Sequence, residues 1–246
     1  MSKKTVTLNV FGDSYASPDY CVNPSESFWG LAAQRLAVNK IQNYSHIGFS
    51  LDHVLHILLN ENFDFLTDYF LIGIPPLTRY IAYSDTYSDE WSLTEFDQQF
   101  VQNTKIIDCL NNTKKFTFAQ QFLNDRLGVD RFNAEWNDVQ CLEKIFLLNH
   151  YMKSKNAKFM ILNLSKPVVY QDLWPAGCKI MIKVKQLAEC VIFEDTYYSV
   201  NYNDQIKPAD FDQYGWQGHH GPEGNANWYN KVILPKMLDL DWIDNA

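Results

Sequence analysis

The sequence predicts an α/β domain built on a parallel sheet with helices on both faces. Three observations carry that prediction. Short apolar runs of strand length alternate along the chain with segments of helical periodicity. Two of those runs, Tyr69 to Ile74 and Lys158 to Leu164, are too continuously apolar to leave one face in water, as in strands covered on both sides. No repeat, low-complexity tract or interdomain linker interrupts the pattern, so residues 1–246 read as one domain, long enough to bury a sizeable core. In such a sheet the crossovers are right-handed and the functional site lies at the carboxyl ends of the strands.

The elements follow in order. Thr5 to Phe11 alternates and is rich in Val, Leu and Phe, then breaks at Gly12-Asp13, a first strand ending in a tight turn. Ser27 to Val38 places Phe28, Leu31, Ala32, Leu36 and Ala37 at helical spacing, with Ser25 or Ser27 as cap. Ile41 to Ile47 reads as a short second strand. Ser50 to Leu59 is helical through Leu51, Val54, Leu55 and Leu58, with Ser50 as cap and His53 and His56 flanking the apolar face. The third strand, Tyr69 to Ile74, ends at Pro75-Pro76. Residues 80–130 are polar, aromatic and poor in strand signals, a helical insertion over one end of the sheet. A helix over Glu135 to Lys155 uses Cys141, Ile145, Leu148 and Tyr151 as its inner face, and Lys158 to Leu164 is the next strand. Beyond it come a helix near Ile180 to Leu187, an extended segment over Val191 to Val200, and a last helix over Asn225 to Leu238.

Composition narrows the function. A net charge of −8 and a pI near 5.2 provide no basic face for phosphates, which argues against nucleic acid as a partner. The residues before the first strand lack an apolar leader, and no apolar run approaches the length of a bilayer span, so a cytoplasmic chain without a membrane span is expected. Cys21, Cys109, Cys141, Cys178 and Cys190 are scattered and form no Cys-x-x-Cys pair; free thiols are expected, and neither a zinc site nor a cofactor. Aromatics make up 15% of the chain, most of them core, although Trp and Tyr also line sugar-binding grooves.

Two segments carry chemistry. Gly12-Asp13-Ser14 puts a serine at the carboxyl end of the first strand, where a nucleophile is exposed to substrate; as a tripeptide on its own it reads first as a turn or helix cap. Gly218-His219-His220-Gly221-Pro222-Glu223-Gly224-Asn225 sets two histidines in a glycine-rich loop before a helix, a setting ill suited to core packing. A serine nucleophile needs such an imidazole within reach and preorganised donors for the oxyanion. With Asp210 or Asp212, the same histidines also make up a metal-binding alternative.

In this order these motifs resemble the SGNH/GDSL hydrolases, a resemblance that spans the chain and is strongest in its first and last blocks. It implies a flavodoxin-like three-layer α/β/α fold and hydrolysis of an ester, thioester or acyl bond on a small molecule, lipid or sugar. Residue by residue, Ser14 matches the nucleophile beside Asp13, and Gly48 matches the glycine whose amide is a second oxyanion donor. The third block, normally Gly-x-Asn, reads Gly73-Ile74-Pro75, so proline stands where the third donor belongs; Thr78 or Arg79 could reach that spot from the next turn. Counting back from Gly224 makes His219 the base and His220 its neighbour. The aspartate expected three residues earlier is Trp216, or Gln217 if His220 is the base, which leaves Asp212 and Asp210 as the nearest upstream acids. The resemblance implies an esterase, with a carbohydrate O-acetyl ester among the candidate substrates, or a ligand-binding module that has kept the fold. Phe49, Trp174, Tyr197, Tyr198, Tyr202, Trp216 and Trp228 are its candidate aromatic walls. The alternatives to a cytoplasmic site of action are release by lysis and carriage on a phage particle, where hydrolases of this family act on surface polysaccharides.

Overall fold

A computed structural model describes residues 5–18, 23–46, 49, 51–75, 134–164, 182–184, 186–187, 191–192, 195–206 and 220–244. Its centre is a parallel sheet of β1 (Thr7–Phe11), β2 (Lys40–Asn43), β3 (Tyr69–Ile74), β4 (Lys158–Asn163) and β5 (Val191–Ile192), in the order β2-β1-β3-β4-β5. That is the flavodoxin-like order, in which the winding direction reverses between β1 and β3 and opens a crevice above their carboxyl ends. The register brings Phe11 opposite Ile72, Val10 opposite Asn43, and Ile74 opposite Asn163, so these strands end nearly level.

Alternation along the strands sends side chains to two apolar layers. Leu8, Val10, Leu71, Met160 and Leu162 face α1 (Phe28–Leu36), α4 (Tyr197–Asn203) and the C-terminal helices α5 (Pro222–Trp228) and α6 (Leu234–Asp239). Phe11, Phe70, Ile72, Ile74, Phe159 and Ile161 face α2 (Leu51–Asn60) and α3 (Ala134–Ser154). The three-layer α/β/α architecture follows from this two-sided burial, worth roughly 1.5–3 kcal/mol for each fully buried Leu, Ile or Phe. Among the described residues no helix is long and apolar enough to cross a membrane.

Most elements lie where their periodicity put them, and the differences have local causes. Ser27 rather than Ser25 caps α1, its Oγ accepting from Gly30 N at 2.9 Å. The helix stops at Leu36 because Ala37 turns left-handed, at φ 50° and ψ 39°. The second strand ends at Asn43, short of Ile47, once Asn43 Oδ1 accepts from Ser45 N at 2.8 Å. The extended segment read over Val191 to Val200 is overturned in its second half. Its β-branched and aromatic composition suggests a strand, but Thr196 Oγ1 accepts from Ser199 N at 2.9 Å while Ser199 Oγ accepts from Thr196 N at 3.0 Å. That reciprocal capping box starts α4, and among the described residues of the segment Val191–Ile192 is strand.

The last helix begins at Pro222, three residues before Asn225, because proline at the first helical position has no amide that needs a partner. It contains a π-turn over Tyr229–Ile233, where Leu234 N donates to Tyr229 O. Pro235 explains the turn: it has no N–H to give Lys231, and in a regular helix its ring would press on that carbonyl. Near Ile180 to Leu187, residues 182–184 are helical. The insertion read over residues 80–130 lies outside the described residues.

Candidate active site

The turn that carries Ser14 is built from the chain's own backbone. Asp13 O accepts from Ala16 N and from Ser17 N, each at 3.0 Å, and Asp13 Oδ1 accepts from Tyr15 N at 3.1 Å. These bonds close a tight turn just beyond β1 and hold Ser14 at its apex, 8% exposed. The Asp13 carboxylate is wholly buried and holds this turn. Asn43, at the end of β2, pins the far side of the turn by donating from Nδ2 to Ala16 O at 2.8 Å.

Close backbone approach explains the glycines beneath it. A Cβ on Gly12 would lie 3.0 Å from Ala16 Cβ and 3.6 Å from Gly73 Cα, and a Cβ on Gly73 would lie 2.3 Å from Leu164 Cδ1 and 2.9 Å from Phe11 O. Gly73 thus belongs to the floor under Ser14, where the ends of β1 and β3 meet. Pro75 follows β3, is buried, and has no N–H to offer an oxyanion.

His220 comes to the same region from the opposite end of the chain. It immediately precedes Gly221, the N-cap of α5, and is 6% exposed. Its backbone carbonyl accepts from Tyr197 Oη at 2.9 Å and from Asn225 Nδ2 at 3.3 Å. Its ring meets Tyr197 edge-to-face, with centroids 5.4 Å apart and planes 68° apart. Gly224 packs so closely that a Cβ there would lie 2.3 Å from His220 Cβ. Asn225 also donates to Gly221 O at 3.1 Å, and its Oδ1 accepts from Phe28 N at 3.2 Å, which ties the histidine loop to the start of α1.

Tyr197 joins the two halves. Its ring lies 5.6 Å from that of Tyr15, the residue after Ser14, and 5.4 Å from that of His220. Phe28 and Trp228 complete the cluster, with ring centroids 5.0 Å apart. Tyr197 and Trp228, read from sequence as candidate aromatic walls, are therefore buried in the layer under the site, whereas Tyr202 is 70% exposed. Phe49 stacks on His53 at 4.4 Å. Burial pushes the phenol of Tyr229, one residue beyond Trp228, above its ordinary pKa, with the Arg35 guanidinium pulling the other way.

Ser14, Asp13, Gly73 and Pro75 thus lie at the carboxyl edge of the sheet, and the Tyr197 ring links His220 to Tyr15, the residue after Ser14. Gly48, Thr78, Arg79, Trp174, Asp210, Asp212, Trp216 and His219 lie outside the described residues, as does the side chain of Tyr198. Among the described residues no cluster of His, Cys, Asp or Glu is gathered that could hold a metal ion. Sequence reasoning assigned no role to Asn43 or Asn225. Both are asparagines at element ends beside a motif, and that position was the available signal.

No protein-family model matches the chain, and no curated protein does. Among solved structures, the chain is similar to a member of the lipolytic protein G-D-S-L family from Veillonella parvula DSM 2008, at 14% identity and a TM-score of 0.41, over 94% of this chain and 97% of that one. At that TM-score the likeness is too loose to match residues between the two.

Proposed function

We propose that the chain is a serine hydrolase of ester or acyl bonds, with Ser14 as nucleophile and His220 as general base. The observation that carries this reading is the meeting of the first and last motifs across the Tyr15, Tyr197 and His220 rings at the carboxyl edge of the sheet. His220 is named as base on its own contacts, since its backbone carbonyl, its Cβ and its ring each have a defined neighbour, while His219 lies outside the described residues.

In this reaction Ser14 Oγ attacks the substrate carbonyl carbon and His220 takes the hydroxyl proton. The tetrahedral intermediate collapses, the leaving alcohol recovers that proton from the imidazolium, and an acyl-enzyme remains on Ser14. A water, deprotonated by the same histidine, then releases the acid. The Ser14 and Gly48 amides are the proposed oxyanion donors. The net charge of −8 favours a neutral or cationic substrate, such as an acetylated sugar, over an anionic one.

The test is p-nitrophenyl acetate hydrolysis together with labelling by a fluorophosphonate probe. Wild type is expected to label at Ser14, and Ser14→Ala and His220→Ala each to lose about 1,000-fold or more of the turnover, while His219→Ala stays close to wild type. Turnover that survives Ser14→Ala would overturn the reading. One observation favours a second reading, a binding module on the same fold: proline at position 75 has no donor for the oxyanion. Tight binding of an acetylated sugar with no turnover and no Ser14 labelling would select it.

A further inference from the structure

We infer that Tyr197 is the positioning residue for His220, taking the orienting role that a carboxylate three residues upstream would otherwise fill. The inference rests on His220 as base and adds how that base is held. The position three residues before His220 is Gln217, whose carboxamide carries no charge to steady an imidazolium. Tyr197 instead approaches from another element and engages His220 twice. Its Oη donates to the His220 carbonyl at 2.9 Å, which fixes the backbone, and its ring meets the imidazole edge-to-face at 5.4 Å, which restricts ring rotation.

Tyr197 is itself held firmly enough to serve. It is the first residue of α4, directly after the Thr196 cap, and its carbonyl accepts from the buried Asn201 Nδ2 at 2.9 Å. It is 2% exposed and packs against Trp228 at 5.2 Å and Phe28 at 6.3 Å. The rigidity of the capping box and the aromatic layer is thereby passed to the imidazole. The same ring touches Tyr15, so the base and the nucleophile turn are referenced to one side chain.

The experiment compares Tyr197→Phe and Tyr197→Leu with wild type, measuring kcat and KM for p-nitrophenyl acetate, the rate of Ser14 labelling by a fluorophosphonate, and Tm. Kinetics are read well below every Tm and normalised to folded protein. Tyr197→Phe keeps the ring and loses one hydrogen bond, so kcat is expected to fall about fivefold. Tyr197→Leu also frees the imidazole and is expected to lower kcat about 100-fold, since small misplacements of a catalytic group cost that much. KM should stay unchanged in both, and Ser14 labelling should slow in the same order. Wild-type kcat per folded molecule in both variants, whatever the change in Tm, would overturn the inference. If Tyr197→Leu does not fold, Tyr197→Phe decides alone. The two failures are distinguishable: turnover that survives His220→Ala removes the base and this inference with it, whereas an inactive His220→Ala beside fully active Tyr197 variants removes only the positioning role.

Discussion

On the face of the sheet that carries α1, α4 and α5, the buried Asn225 side chain makes three hydrogen bonds, to Phe28 N, His220 O and Gly221 O. On the other face, on α3, Asn149 is 1% exposed, and among the described residues neither its Oδ1 nor its Nδ2 has a hydrogen-bond partner. The same residue type thus serves opposite ends. Under the site it links three segments and fixes the histidine loop. In the opposite layer, amid Leu142, Ile145, Leu148 and Met152, it is a buried amide that no described residue partners, and burying it costs free energy. Both faces are packed with apolar side chains, and the difference lies in what each buried asparagine does within its layer.

Away from the two candidate catalytic side chains, Gly224→Ala is the way to break the site face. The added methyl would have to displace His220 Cβ, which it would approach at 2.3 Å. A loss of about 100-fold in esterase turnover is expected from that displacement. A Gly224→Ala enzyme with wild-type kcat would mean that the histidine loop is not the rigid element described.

The two asparagines sharpen the contrast through changes of opposite sign. Asn225→Leu leaves Phe28 N and the loop carbonyls without their side-chain partner and is expected to cost about 2–3 kcal/mol in urea unfolding, with a fall in activity. Asn149→Leu removes two orphaned polar atoms and is expected to gain about 1 kcal/mol with turnover unchanged. Equal effects at both positions would dissolve the distinction between the faces.

The smallest effect belongs to a surface tie on the site side. Asp204 Oδ1 accepts from Lys231 Nζ at 2.6 Å and its Oδ2 from Asn227 Nδ2 at 2.6 Å, joining the end of α4 to the C-terminal helices. The hydrogen bond from Lys231, then that from Asn227, holds its carboxyl below the ordinary carboxylate pKa. The folded form therefore prefers the charged state, so this stabilisation is present above the ordinary carboxylate range and is lost as pH falls through the lowered value. The Tm gap between wild type and Asp204→Asn should close on acidification, and should also shrink in high salt because the pair is exposed. A gap independent of both would assign the tie to something other than charge.

Much of the fold was legible because continuous apolar runs and helical spacing are local signals. Tyr69–Ile74 stands as β3 with the limits its composition suggested, and Leu51–Asn60 and Ala134–Ser154 lie within one residue of their predicted spans. The start of α4 was missed because Tyr197, Tyr198 and Val200 favour strands, while the capping box that overrides them depends on two hydroxyl bonds. In the site, Ser14 was legible from the strand-turn pattern, and a histidine before the last helix from its glycine-rich setting. Spacing favoured His219; the geometry that supports His220 depends on Tyr197 and Asn225, whose contacts span 23 and 5 residues.

By itself, the sequence determined the layers: periodicity sets which side chains must leave water, and two-sided burial of the strands demands helices on both faces. Only the tertiary structure decided what holds the histidine. Which ring faces it, and which carbonyl a hydroxyl reaches, depends on how α4 and α5 pack over β1, and no local pattern encodes that packing.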